Sequence, residues 1–217
     1  MLDQYKKLLQ EAVRLQSVST SSQYQEQIKQ MVAWYKNLFE QNQFSVKVIE
    51  GYDNPIVLAS YAADPSYKTV LIYGHYDVQP ASKDEGWDNE PFELAERDGR
   101  LIARGAIDNK GQVLAHLVNV FELLKGKNLR YNVKFMIEGN EETGSPHLEG
   151  FIQDNQELLK TDFVMISDGE ISGGVQNLEV AFRGGFNSAL TISVGTQDLH
   201  SGLYGSEIGR ASCRERV

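Results

Sequence analysis

Apolar residues recur every three to four positions in two segments near the start of the chain. This spacing predicts helices over residues 2–16 and about 22–42, separated by the polar sequence SVSTSS. Three short apolar runs come next, FSVKVIE, PIVLASY and TVLIYGHYD, and each is typical of a β-strand. The continuous apolar core of TVLIYGHYD predicts a strand that is covered on both faces.

The pattern then alternates between helices and strands. Residues 81–104 form a long polar excursion with a hairpin signal at Asp98 and Gly99. A helix with a broad apolar face opens at GAIDNKG and ends near Gly126, NVKFMIEG reads as a strand, a helix runs from Ser145 to about residue 160, and DFVMISDGE reads as a further strand. This order predicts an α/β fold with a mostly parallel sheet flanked by helices.

The pattern changes towards the end of the chain. Glycine pairs precede FNSALTISV, whose alternating polarity is typical of a half-exposed strand, so we expect one domain over residues 1–183 and the start of a second, α+β domain over 184–206. Residues 207–217, EIGRASCRERV, have no apolar periodicity and match the translation of a common short-read sequencing adapter. We expect this tail to be an artefact and exclude it from the fold.

Composition narrows the function classes. The chain has 217 residues, 41% of them hydrophobic, and a formal charge of −9, and its basic residues are scattered, which argues against nucleic acid as a partner. It has no apolar run near the ~20 residues of a membrane span, and the amphipathic N-terminus does not resemble a signal peptide. We therefore expect a cytoplasmic protein with no membrane partner. The single cysteine, Cys213, cannot form an internal disulfide.

Acidic groups and a histidine come directly after three of the predicted buried strands. They are His75, Asp77, Glu141, Glu142 and Asp168, and Asp108 lies at the start of a helix. Ligands collect at the carboxyl ends of parallel strands, so we expect these groups to converge on one crevice. Five carboxylates in a half-buried crevice repel one another unless a cation lies between them. An imidazole beside carboxylates suits Zn²⁺, Co²⁺ or Mn²⁺, and a carboxylate can bridge two ions about 3.5 to 4 Å apart.

The local spacing suggests separate tasks. Residues i and i+2 of a strand point to the same face, so Asp77 can accept the N–H of a metal-bound His75 and fix its tautomer. The adjacent Glu141 and Glu142 diverge, so one can bind metal while the other transfers protons.

Six motifs occur in order along the chain: YGHYDVQP, GWDNEPFEL, ARGAIDNKG, EGNEETGSP, ISDGE and DLHSGLYG. As a set they resemble the dinuclear-zinc peptidase family of carnosinase-like cytosolic dipeptidases, aminoacylase, carboxypeptidase G and succinyl-diaminopimelate desuccinylase. The resemblance covers residues 1 to about 206 and is closest to the dipeptidase branch. It implies that a hydroxide bound by two divalent metals, zinc or else Mn or Co, cleaves dipeptides or small peptides.

The resemblance also implies residue roles. The implied metal ligands are His75 and Asp168 on the first metal, Asp108 as the bridge, and Glu142 on the second metal. Glu141 would be the general base and Asp77 the residue that supports His75. His200, in DLHSG, would reach the active site of a partner subunit and stabilise the oxyanion, so the resemblance implies a homodimer formed through a lid domain that begins near residue 184.

One ligand of the family pattern does not occur in this chain, namely a late histidine that completes the second metal site. We therefore expect the chain to be C-terminally truncated and inactive by itself. Two other functions stay open: N-acyl amino acid deacylation or desuccinylation on the same machinery, and a non-catalytic homologue that only binds metal. We expect His116 and His147 to be structural, and Trp87 and Phe92 to anchor their loop.

Overall fold

A computed structural model of the protein describes residues 1–169 together with residues 174, 175, 178, 184, 188 and 189. The segment Met1–Ser172 forms one compact unit, which contains all the helices and strands named below. The predicted second domain from residue 184, the tail and His200 fall outside the described residues, apart from the isolated positions named above. The domain boundaries therefore stay a prediction.

Five α-helices and seven strands occur among the described residues of this unit. The helices are α1 (Leu2–Arg14), α2 (Gln25–Gln41), α3 (Lys110–Lys125), α4 (Leu148–Asp154) and α5 (Gln156–Leu159). The strands are β1 (Ser45–Ile49), β2 (Ile56–Tyr61), β3 (Thr69–His75), β4 (Ala95–Arg97), β5 (Arg100–Ile102), β6 (Asn132–Glu138) and β7 (Phe163–Ile166). Strands β4 and β5 form the hairpin predicted at Asp98 and Gly99, both of which have positive φ, as a tight hairpin turn requires.

The main sheet has five strands in the order β1-β2-β6-β3-β7. Strand β3 pairs in parallel with both β6 and β7, whereas β2 pairs antiparallel with both β1 and β6. The predicted α/β class with flanking helices is confirmed, and the sheet is mixed. Its parallel half, centred on β3, carries the candidate site.

Alternating side chains of the strands build a core on each face of the sheet. Val70, Ile72, Val133, Phe135 and Ile137 face the larger core, which α1, α2 and α3 cover. Leu71 and Met136 face a smaller core under Phe151 of α4. Strand β3 is therefore covered on both faces, as its continuous apolar sequence predicts.

Strand β7 departs from the sequence prediction. Its apolar sequence predicts burial, but its four residues are between 45% and 61% exposed. Within the described residues β7 pairs along one edge only, with β3, and no described helix packs extensively on it. An apolar run cannot by itself distinguish a central strand from an edge strand. Among the described residues, no helix is both long and apolar enough to cross a membrane.

Candidate metal centre

His75 is the last residue of β3, and its imidazole is fully buried (0% exposed). Because β3 lies between β6 and β7, its carboxyl end is at the middle of the parallel part of the sheet. Asp77 comes two residues later and is also fully buried. The central strand thus delivers a histidine and a carboxylate into the same interior position.

Asp77 orients the imidazole from one side. Nδ1 of His75 lies 3.0 Å from the backbone oxygen of Asp77 and 3.3 Å from its Oδ1. The Asp77 carboxylate also accepts hydrogen bonds from the backbone N–H groups of Glu141 (3.2 Å) and Glu142 (3.1 Å) and from the hydroxyl of Ser19 (2.6 Å). With Nδ1 donating to Asp77, the lone pair of a neutral imidazole is on Nε2.

Three carboxylates face that Nε2 atom. Asp108 Oδ1 lies 3.0 Å away, Asp168 Oδ2 3.5 Å away and Glu141 Oε2 3.8 Å away. One ligand atom each from His75, Asp108 and Asp168 can be chosen so that all lie within 4.8 Å of one another. Elements that are far apart in the sequence therefore bring four of the predicted site residues together.

The electrostatics of this cluster favour a cation. Burial alone lowers the pKa of His75, but hydrogen bonds to Asp108, Asp168 and Asp77 outweigh it and raise the pKa to about 12. The hydrogen bond to His75 lowers the pKa of Asp108. Burial raises the pKa of Glu141, and the negative charge of Asp168 adds to the effect. Positive charge, either a proton on Nε2 or a bound cation in its place, is thus stabilised where Nε2 faces the carboxylate oxygens.

Asn109 fixes the segment that carries Asp108. Its Oδ1 accepts the backbone N–H of His75 (3.2 Å), and its Nδ2 donates to the backbone oxygen of Ser167 (2.7 Å). This one buried amide therefore joins the start of α3 to the ends of β3 and β7. Gly74 makes the approach possible, because a Cβ there would overlap the Asn109 side chain. The peptide bond between Asp108 and Asn109 is cis.

Glu142 occupies a different environment. Its carboxylate accepts hydrogen bonds from the backbone N–H (3.2 Å) and from Nε2 (2.9 Å) of Gln79. It does not belong to the group formed by His75, Asp108 and Asp168. Its assignment to a second metal stays a prediction, as do the roles of the other site residues.

Several polar residues around the site were not predicted from the sequence. They include Ser19, Asn109 and the buried Glu138. Glu138 pairs in register with His75 and accepts hydrogen bonds from the hydroxyls of Tyr73 and Ser145. Burial raises the pKa of Glu138. An acid directly after the apolar run FMI at the end of β6 is the one local signal that could have identified it.

Two histidines and one tryptophan that we expect to be structural have the following neighbours, and their roles stay predictions. His116 Nε2 lies 2.7 Å from the hydroxyl of Ser167, and His147 Nε2 lies 3.3 Å from Asp53 Oδ2. The guanidinium of Arg104 lies over the ring of Trp87, 5.4 Å from its centroid.

The donor set fits a divalent metal ion of the borderline class. A buried imidazole with a fixed tautomer, supported by a carboxylate on its other nitrogen, is the usual arrangement of a metal-binding histidine. Two carboxylates beside it complete a mixed N/O set that suits Zn²⁺, Co²⁺ or Mn²⁺ better than an all-oxygen set would. His75, Asp108 and Asp168 are thus a candidate metal site.

Comparisons with known sequences show which family the chain resembles. The profile of peptidase family M20/M25/M40 matches residues 71–200, a segment that includes every predicted site residue. Beta-Ala-His dipeptidase of Mus musculus is 42% identical over 156 residues, which are 70% of this chain and 32% of that protein. Cys-Gly metallodipeptidase dug1 of Schizosaccharomyces pombe is 35% identical over 222 aligned positions, which are 95% of this chain and 46% of that protein.

Solved structures show the same likeness. Human carnosine dipeptidase 1 superposes with a TM-score of 0.70 at 33% identity, over 77% of this chain and 38% of that one. The dipeptidase Dug1p from Saccharomyces cerevisiae superposes with a TM-score of 0.70 at 30% identity, over 76% of this chain and 38% of that one. The chain thus spans between about a third and a half of the length of these relatives. A profile match over more than half of the chain, on a fold that superposes with these dipeptidases, shows that the chain belongs to peptidase family M20/M25/M40.

Proposed function

We propose that the full-length protein containing this chain is a metal-dependent hydrolase of dipeptides. The observation that carries the proposal is the meeting of His75 Nε2 with the carboxylates of Asp108, Asp168 and Glu141 at the end of the central strand. The relatives named as dipeptidases support the substrate class.

Each residue has a distinct task in this proposal. His75, Asp108 and Asp168 would hold one metal ion, and Asp108 and Glu142 would contribute to a second. Bound divalent ions would supply Lewis acidity to the scissile carbonyl and to water.

Glu141 is the proton carrier of the proposed reaction. Its carboxylate is close to the metal-binding imidazole without being hydrogen-bonded to it (3.8 Å), and its side chain is 41% exposed, so water can reach it. Burial raises the pKa of Glu141. A carboxylate positioned next to the attacking water can take its proton and return it to a leaving group. Glu141 takes a proton from the attacking water and gives it to the leaving amine, which balances the hydrolysis of one amide bond.

The test compares Glu141→Gln with Glu157→Gln in the full-length protein supplied with zinc. Glu157 is an exposed glutamate on α5 and is the matched control. We expect Glu141→Gln to lower kcat on a panel of dipeptides by at least about 100-fold, the usual range of general-base loss, with zinc still bound. Unchanged hydrolysis in Glu141→Gln would contradict its role as base.

The substrate panel distinguishes related chemistries. Acetyl- and succinyl-amino acids in the same panel would be the preferred substrates of a deacylase. Zinc-loaded wild-type protein that cleaves neither class would contradict the proposal and would favour a non-catalytic metal-binding homologue.

The proposed quaternary structure and location rest on the family resemblance alone. We propose a cytoplasmic homodimer that forms through the second domain, with His200 contributed to the partner's site. Sedimentation of the full-length protein tests the dimer. Restored activity on mixing His200→Ala with Glu141→Gln protein would support a contribution across the interface, because mixed dimers then contain one intact site.

A further inference from the structure

The segment between α1 and α2 packs directly on the residues that orient the candidate metal ligand. Ser17 donates through its hydroxyl to the backbone oxygen of Tyr76 (2.6 Å), and its own backbone oxygen accepts the N–H of Val78 (3.1 Å). Val18 forms an isolated parallel bridge with Val78. Residues 17–19 therefore lie along the short stretch that contains Asp77.

Ser19 contacts the Asp77 carboxylate itself. Its hydroxyl donates to Oδ2 at 2.6 Å, the shortest hydrogen bond to this carboxylate among the described residues. The other donors to Asp77 are two backbone N–H groups and the imidazole of His75. Ser19 is therefore the one side chain besides His75, within residues 1–169, that fixes the rotation of this carboxylate.

The segment is anchored to α3, which begins two residues after Asp108. The buried Lys110 donates through Nζ to the backbone oxygens of Ala12 (3.0 Å) and Leu15 (2.7 Å), at the end of α1. An amine donor at a helix C-terminus satisfies carbonyls that have no partner within the helix. The start of α3 thus holds the end of α1, and the residues directly after α1 hold Asp77.

We propose that Ser19 is a positioning residue of the metal centre, which keeps Asp77 aligned with Nδ1 of His75. Oδ2 accepts hydrogen bonds from Ser19 and from the Glu142 N–H, and Oδ1 accepts one from the Glu141 N–H, so Oδ1 stays directed towards the imidazole. Without the hydroxyl, only the two backbone N–H groups and the imidazole itself hold the carboxylate. The carboxylate then has more freedom to rotate, and the orientation of the imidazole that presents Nε2 to a metal is held less firmly. This inference rests on the proposed function, because it assumes that His75 binds metal.

The experiment measures zinc affinity rather than activity, by competition with a chromophoric chelator on full-length protein. The variants are Ser19→Ala, Ser19→Thr and Ser66→Ala. Ser66 is the matched control, because its hydroxyl also donates at 2.6 Å to an aspartate, Asp64, but in an exposed turn. Asp108→Asn removes a proposed ligand and reports whether the measured zinc occupies this site.

We expect Ser19→Ala to weaken zinc binding about tenfold, the lower end of the range for partners of metal-ligating side chains. Ser19→Thr retains the hydroxyl and should bind zinc nearly as tightly as wild type. Ser66→Ala should not differ from wild type. The absorption bands of the Co²⁺-substituted protein should change in Ser19→Ala and be restored in Ser19→Thr, because they report ligand geometry.

Either of two results would overturn this inference and leave the proposed function standing. One is wild-type zinc affinity and Co²⁺ spectrum in Ser19→Ala, with Asp108→Asn impaired. The other is an equal loss in Ser19→Ala and Ser19→Thr that accompanies a lower melting temperature in both, since that pattern shows a purely structural residue. Wild-type protein that binds no zinc, or binds it as well with Asp108→Asn, overturns the proposed function and this inference with it.

Discussion

Replacing Gly139 with alanine tests how strictly the turn that carries Glu141 and Glu142 must hold its position. Gly139 comes directly after the last residue of β6 and lies against the ring of Tyr76. A Cβ on Gly139 would be 2.6 Å from Cε2 of Tyr76 and closer still to its Cζ and hydroxyl, whereas ordinary contact begins at 3.4 Å. Either the ring or the turn must therefore move by roughly 1 Å.

Neither group can move freely. Tyr76 is fully buried, and its hydroxyl donates to the backbone oxygen of Pro55 at 2.8 Å. The backbone oxygen of Gly139 accepts a hydrogen bond from Asn54 Nδ2 at 2.7 Å. Overpacking of this kind costs about 1 to 3 kcal/mol of stability. A displacement of about 1 Å at catalytic groups reduces the rate by about 100-fold.

The assays are urea unfolding and dipeptide hydrolysis of the full-length protein. Gly150→Ala is the matched control, because a Cβ on that residue of α4 has nothing within 4 Å and should raise stability by about 0.5 to 1 kcal/mol. The double variant Gly139→Ala with Tyr76→Phe should stay impaired, since the clashing ring carbons remain. Wild-type stability and kcat/KM in Gly139→Ala would refute the reasoning.

Three further variants test single features. Tyr35 is fully buried, and its hydroxyl has no hydrogen-bond partner among the described residues, so Tyr35→Phe should raise the free energy of unfolding by about 1 kcal/mol. Burial raises the pKa of Tyr35 above its ordinary value of about 10. Above about pH 10 the unfolded chain therefore loses this proton while the folded state keeps it, so the free energy of unfolding falls as the pH rises. Tyr35→Phe should reduce that alkaline loss in urea titrations carried out on either side of about pH 10, and an identical loss would contradict the assignment. Asn109→Ala should lower stability by about 1 to 3 kcal/mol, because the hydrogen bonds between its amide and the ends of β3 and β7 disappear. A smaller loss of stability would show that these two hydrogen bonds are dispensable. Glu96→Gln breaks an exposed pair with Lys6 (2.7 Å) and should change stability by less than about 1 kcal/mol at low salt and not at all in about 1 M NaCl.

The helix expected from Ser145 to about residue 160 shows where local pattern stops being sufficient. It begins later, at Leu148, because residues 141–145 form a tight turn that ends with Ser145 at a φ of 47°. It also divides at Asn155, where the backbone N–H and Nδ2 both donate to the carbonyl of Phe151. The spacing of apolar residues predicts a helix here, but it gives no information about the polar contacts that compete with the helix.

The sequence by itself determined the class of fold, most element positions and the chemical types of the candidate ligands. These depend on periodicity and on the residue types at the end of each strand, which are local properties of the chain. The tertiary structure alone decided that β7 is exposed, that Glu142 lies with Gln79, and that Ser19 and Asn109 form hydrogen bonds with Asp77 and His75. The hydroxyl of Ser19 and the carboxylate of Asp77 are 58 positions apart. Such contacts depend on how distant elements pack, and no short stretch of sequence encodes that packing.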